Sequence, residues 1–279
     1  MEHIVISSSG PNGYIQLGML AKLLETYSLD TVQSIRGTSA GSILAVLLCL
    51  KVPMEDVVDY FIKRPLHKWF KMDVSQFMKT NGLVSSALTD LLAPLFHLQD
   101  ISLNITMKEL YAFSSFDLHI YTTSVTNVET VDINHETFPN LPVLKAITMS
   151  CAIPLLFPAV EHEGEYYIDG GLLMHCPIPP NENTLVITIK NMHTLSMESP
   201  FHMMTHILFK VLTRLSPDST VGKRYEYLPD NNGLDPLHWE NMLNHESTRA
   251  DMIEQGRLFV GRTYGSAPPL KLEDSPENE

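Results

Sequence analysis

Gly37-Thr38-Ser39-Ala40-Gly41 fits Gly-x-Ser-x-Gly, the pattern of a serine held out to attack an ester carbonyl. Small residues two before and two after the serine suit a sharp strand-to-helix turn, with Gly37 and Gly41 as its elbow glycines. Such a turn leaves the hydroxyl at a helix N-terminus, where the dipole and free N–H groups favour developing negative charge. A serine hydroxyl needs a base. Tyr166-Tyr167-Ile168-Asp169-Gly170-Gly171 supplies a candidate: an apolar strand ending in a carboxylate, followed by two glycines able to take positive φ. Within hydrogen-bond reach, Asp169 can take the Ser39 proton directly and return it to the leaving group, with no histidine involved.

Those residues need strands and helices in alternation to hold them. Period and punctuation predict a strand over 3–6, a Ser/Gly/Pro/Asn loop, and a helix with Ile15, Leu17, Met19, Leu20, Leu23 and Leu24 crowded on one side. A strand over 31–35 precedes the elbow. An apolar helix follows it and ends near Val52, and Pro53 starts the next helix over 55–62. Further strands are expected over 118–125, 129–133, 166–168 and 185–189, the last apolar and β-branched enough to be buried on both faces. The class is α/β with a covered sheet. An α/β-hydrolase fits poorly, since Ser39 follows only the second strand, whereas that fold places its elbow later and supplies Asp or Glu before a histidine.

Taken together, these motifs resemble the patatin-like phospholipases, over about residues 4–190. That family's signature is an early Gly-rich oxyanion loop, a Gly-x-Ser-x-Gly elbow, and a later Asp-Gly-Gly or Asp-Gly-Ala. Ser150-Cys151-Ala152-Ile153-Pro154-Leu155-Leu156-Phe157-Pro158 looks like its Ser-x-Ala-x-Pro-x-x-Phe-x-Pro segment, and Asp169-Gly170-Gly171-Leu172 is followed by Pro177. The resemblance implies a three-layer α/β fold with a mostly parallel central sheet and a Ser–Asp dyad. Ser39 would be the nucleophile that forms an acyl-enzyme and Asp169 the general base. It further implies lipid acyl esters as substrate, and neither metal nor cofactor.

One segment departs from the pattern. The family loop reads Gly-Gly-Gly-x-Arg/Lys-Gly, and this chain has Ser8-Ser9-Gly10-Pro11-Asn12-Gly13 in that place. Backbone N–H groups do the work of an oxyanion hole, so Ser8, Ser9 and Gly10 are the candidate donors and Gly13 keeps the motif's last glycine. Pro11 has no N–H to give. A positive φ forced on a serine would cost about 1–2 kcal/mol. This departure motivates an alternative reading, a catalytically silent lipid- or protein-binding module on the same scaffold. Acyl transfer to an alcohol instead of water is a third.

Composition bounds the partners. The chain has 279 residues, 44% of them hydrophobic, enough for a sizeable core, and its formal charge of −13 argues against nucleic acid as a partner. Cys49, Cys151 and Cys176 form no Cys-x-x-Cys pair, so free thiols are expected. Residues 1–6 have no basic stretch before an apolar run, so a signal peptide is not expected, and a cytoplasmic setting, peripheral to membranes, is the default. The longest apolar run, 43–50, is too short to cross a bilayer. The expected division is a catalytic domain over 1–190, a helical annex over 191–266 with an amphipathic helix over 201–215 and a polar stretch over 217–236, and an acidic, Pro-rich tail over 267–279.

Weaker features complete the reading. Residues 61–72 carry four basic side chains with Phe61, Trp69 and Phe70, a pattern suited to a lid that meets lipid at a membrane or micelle surface. A partly buried helix end gives the same string. His162, His202, His206 and His238 lack the spacing of a zinc site. Met192, Met197, Met203 and Met204 suit either a core or an acyl groove. Gly10-x-x-Gly13 is too short for a nucleotide-binding fingerprint. The function expected is lipid acyl hydrolysis of phospholipase A type through Ser39 and Asp169.

Overall fold

The computed structural model describes residues 1–68, 70, 88–179, 183–190, 203, 222–229 and 236–264. Strand β1 (His3–Ile6) turns into helix α1 (Gly13–Leu24), and β2 (Ser34–Thr38) turns into α2 (Ala40–Cys49), followed by α3 (Met54–Lys63). Helices α4 (Leu88–Leu98) and α5 (Met107–Ser114) precede β3 (Asp117–Ser124) and β4 (Glu129–Ile133). Then come α6 (Val143–Ser150), β5 (Val160–His162), β6 (Glu165–Asp169), β7 (Thr184–Ile189), β8 (Lys223–Tyr227), α7 (Pro236–Asn244) and α8 (Glu246–Tyr264).

The strands form one sheet in the order β5-β6-β3-β2-β1-β7-β8, with β4 also paired to β3. From β1 outward to β3 on one side and to β8 on the other all pairings are parallel. β4 and β6 run antiparallel to β3, and β5 antiparallel to β6. The chain order advances away from β1 in one direction through β2 and β3 and resumes in the other through β7. A crevice opens at such a reversal outside the carboxyl ends of the strands, and it is where ligands of open α/β sheets bind. The loops after β1 and β2 both emerge there.

Burial follows the sequence pattern. Every residue of β7 is buried, as are Ile4, Val5 and Ile6 of β1, so the centre of the sheet is covered on both faces. Some boundaries differ from expectation. β2 lies three residues later than predicted, because Leu29 accepts a turn hydrogen bond from Val32 and pairing with β1 and β3 carries the strand through Arg36 and Gly37 to the elbow. The apolar helix ends at Cys49, with Lys51 at φ 56° closing it. Helices α4, α5 and α6 went unread, although Thr106 and Glu109 form a capping box legible as Thr-x-x-Glu.

The stretch 217–236, read as polar loop, contains β8. Its sequence Lys-Arg-Tyr-Glu-Tyr buries Tyr225 and carries charge elsewhere, as an edge strand does. The helical reading of 201–215 and the tail over 267–279 lie outside the described residues, apart from Met203, which is exposed. Helix α8 lies tightly along α1: a Cβ on Gly18 would sit 1.9 Å from the Ile253 carbonyl oxygen, and one on Gly256 2.1 Å from that of Ile15. Among the described residues no helix is long and apolar enough to cross a membrane.

Candidate active site

Ser39 stands between β2 and α2 at φ 53°, ψ −127°, a backbone state that costs a non-glycine residue free energy and persists only where its surroundings enforce it. They do so here. The Ser39 N–H donates to Ser150 Oγ at 2.8 Å, and the Ser150 hydroxyl donates in turn to the Tyr121 carbonyl at 2.6 Å. Ser42 Oγ and N–H both donate to the Ser39 carbonyl. Gly41 has no room for a side chain, since its Cβ would fall 2.3 Å from the Ile6 carbonyl oxygen, and a Cβ on Gly37 would fall 2.6 Å from that of Gly41. The spacing of the small residues therefore reflects the close approach of β1 to the helix start.

Ser39 Oγ donates to Asp169 Oδ2 at 2.6 Å, with both residues buried. The Gly171 N–H holds the other carboxylate oxygen at 2.7 Å, and the Asp169 N–H donates to the Ala152 carbonyl at 2.9 Å. Burial pushes the Asp169 carboxyl up to about 7, against the opposing pull of the Ser39 and Gly171 hydrogen bonds. Gly170 and Gly171 do not take the positive φ that the sequence suggested. They are needed for closeness, because a Cβ on Gly170 would fall 2.1 Å from the Tyr121 carbonyl oxygen.

The loop after β1 corrects one expected donor. Ser8 spends its N–H on the His175 carbonyl at 2.9 Å and has none left for a ligand. The N–H groups of Ser9 and Gly10 have no backbone acceptor among the described residues, and neither does that of Ala40, the first residue of α2. The positive φ in the loop falls on Gly10, at 54°, and Ser9 has φ −155°, so no serine bears the backbone cost that glycines would avoid. Gly13 opens α1, its Cα facing Ala40.

A model of the patatin-like phospholipase family matches residues 4–181. The chain belongs to the patatin-like phospholipase family. It is 27% identical over 182 residues to a probable lipid hydrolase, 463L, of Invertebrate iridescent virus 6, covering 63% of this chain and 61% of that one. It is 29% identical over 174 residues to the omega-hydroxyceramide transacylase of Mus musculus, covering 60% of this chain and 26% of that one. The chain thus spans less than two thirds of the length of these relatives. The crystal structure of VipD from Legionella pneumophila superposes with a TM-score of 0.54 at 16% identity, over 95% of this chain and 67% of that one, and shares the mixed α/β fold with its central, mostly parallel sheet.

In this patatin-like chain a pocket opens at Ser39, Ala40 and Gly10 and is otherwise walled by apolar side chains, among them Leu17, Ile43, Leu91 and Ile153. Phe61 and Phe70, which the sequence left as either membrane-facing or part of a buried helix end, line this pocket. Phe61 packs edge-on to Tyr14 at 6.0 Å and Phe70 to Phe157 at 6.1 Å. Lys68 is exposed, and Trp69, Lys71 and Met72 lie outside the described residues. None of the three cysteines is in a disulfide. Cys151 lines the pocket, and burial together with the nearby Asp169 charge holds its thiol well above the usual range.

Among the described residues no three His, Cys, Asp or Glu side chains are grouped to hold a metal ion. Of the histidines weighed as ligands, His162 is half-buried beside Lys145. His202, His206 and the His238 side chain lie outside the described residues, as do Met192, Met197 and Met204.

Two buried polar residues escaped the sequence reading. Ser150 sits inside a quoted motif with no role attached. Arg249, 1% exposed, donates to the carbonyls of Phe61 and Ile62 at the end of α3 and of Met242 and Leu243 at the end of α7. A cation there complements two helix dipoles and satisfies carbonyls that no intrahelical N–H reaches. It also ties together two walls of the pocket, since Phe61, Met242 and Leu243 line it.

Proposed function

We propose that this protein is a lipid acyl hydrolase of phospholipase A type that cleaves fatty acyl esters through Ser39 and Asp169. The reading rests on one observation: the strained Ser39 donates to a buried carboxylate at 2.6 Å at the mouth of an apolar pocket. Asp169 takes the Ser39 proton as Oγ attacks the ester carbonyl, and its affinity for a proton near neutrality suits both halves of that exchange. The N–H groups of Ser9, Gly10 and Ala40 receive the oxyanion. Asp169 then passes the proton to the leaving alcohol, and water repeats the sequence to release the fatty acid. The steps call on no metal or cofactor.

Of the relatives' names, transacylase describes movement of an acyl group and probable lipid hydrolase the cleavage of a lipid, and both chemistries are open to this pair. The apolar walls fit an acyl chain drawn from a membrane or micelle surface, which a peripheral, cytoplasmic protein can reach. Intact-mass measurement after exposure to a fluorophosphonate tests the reading. We expect a single adduct on the wild type and none on Ser39→Ala. No adduct on folded wild-type protein, with lipid or detergent present, would replace it with the silent binding module.

A further inference from the structure

The loop after β1 is polar where its family uses glycine, and each of its serine hydroxyls is engaged. Ser7 Oγ donates to the Ser8 carbonyl at 3.1 Å, Ser9 Oγ donates to Gln16 Oε1 at 2.6 Å, and Ser8 Oγ lies 2.6 Å from His175 Nδ1. His175 stands beyond the Asp-Gly-Gly turn, and no motif marks it. Its Nε2 lies 3.2 Å from the Ile189 carbonyl oxygen, which can only accept. Nε2 therefore carries a proton, and in the neutral ring Nδ1 accepts from the Ser8 hydroxyl.

The same histidine accepts the Ser8 N–H through its own carbonyl. Ser8 is thus gripped at backbone and side chain by one residue, itself tied to the end of β7. On its other side Ser8 presses on Gly171: a Cβ built there would fall 2.7 Å from both Ser8 Cβ and Oγ. Gly171 is the residue whose N–H orients the Asp169 carboxylate.

We infer that His175 is a positioning residue for the oxyanion loop, setting the separation between the Ser9 and Gly10 N–H groups and the Ser39–Asp169 pair. Its effect on rate rests on the acyl-hydrolase reading, whereas its effect on the loop does not. Ser9 and Gly10 follow Ser8 directly, so any shift of Ser8 is passed to them. Donors that act on the oxyanion strengthen only in the transition state, so their displacement lowers kcat and leaves KM in place.

The test compares wild type, His175→Ala, His175→Asn and Ser8→Ala by amide hydrogen exchange over residues 7–13, by fluorophosphonate labelling rate, and by kcat and KM on a long-chain nitrophenyl ester. For His175→Ala we expect exchange at 7–13 to rise about tenfold. Labelling and kcat should fall on the order of 100-fold, with KM within about twofold. Asn offers a carboxamide oxygen to the Ser8 hydroxyl and should recover most of the rate, and Ser8→Ala, which keeps the backbone contact, should fall between. Unchanged exchange at 7–13 in His175→Ala, or unchanged kcat despite a loosened loop, overturns the inference. A rescue no better with Asn than with Ala also overturns it. If the wild type takes no label, the hydrolase reading fails, and the exchange comparison alone decides whether His175 fixes the loop.

Discussion

The hydroxyl of Ser150 accepts the N–H of Ser39, 111 residues away in the chain, and this bond holds the strained turn on which the Ser39 side chain depends. Removing it leaves a buried N–H without a partner and lets the turn relax. We expect Ser150→Ala to lower kcat by about 10- to 100-fold, the order seen for losing a single preorganised hydrogen bond at a reacting centre. Labelling of Ser39 by a fluorophosphonate should slow in parallel, while far-UV circular dichroism stays native.

In the proposed mechanism Asp169 must be ionised to accept the Ser39 proton. Because burial raises its carboxyl to about 7, kcat/KM for an acyl ester should climb through neutrality and level off above pH 8. Asp169→Asn should abolish turnover across the whole range, and a pH profile of initial rates checks both statements.

The same raised carboxyl has a cost in stability. The folded state holds the Asp169 proton more tightly than the unfolded chain does, so the stability tied to that proton is full below about pH 4 and is lost as pH rises through about 7. Asp169→Asn keeps a neutral side chain of similar shape. It should melt higher than wild type at pH 8, by on the order of 5 °C, and the gain should vanish near pH 4. Thermal melts at the two pH values decide it.

Arg249→Met should uncap the ends of α3 and α7 together. Loss of a buried cation bonded to four carbonyls should cost about 3 kcal/mol or more in urea unfolding. KM for acyl esters should rise as well, because both helix ends wall the pocket.

His119 lies between Asp117 and Asp132, at 3.0 Å and 2.8 Å. Burial alone would lower its pKa, but the hydrogen bonds to Asp117 and Asp132 outweigh it and raise the ring to about 9. Its stabilising charge is then complete below about pH 6.5 and lost as pH rises through about 9. We expect His119→Asn to lower the melting temperature at pH 7 and to differ little from wild type at pH 10.

Ser39 and Asp169 were legible in the sequence because each sits in a local motif whose small residues answer to steric demands within a few positions. The strands 3–6 and 185–189 were legible because a sheet covered on both faces leaves an apolar, β-branched signature. β8 was not: its charges are those of an edge strand, and only pairing with β7 distinguishes it from loop.

The sequence by itself thus determined the chemistry on offer, a serine on an elbow and a carboxylate on a strand end, and the α/β scaffold that carries them. The tertiary structure decided how the two meet and what they meet beside. Contacts such as Ser39 with Ser150, Ser8 with His175 and Ile62 with Arg249 join residues more than a hundred positions apart, and no local pattern encodes them. The proton affinity of Asp169 and the engagement of the Ser8 N–H by the His175 carbonyl both arise from burial and partner geometry, which exist only once the strands are ordered around β1.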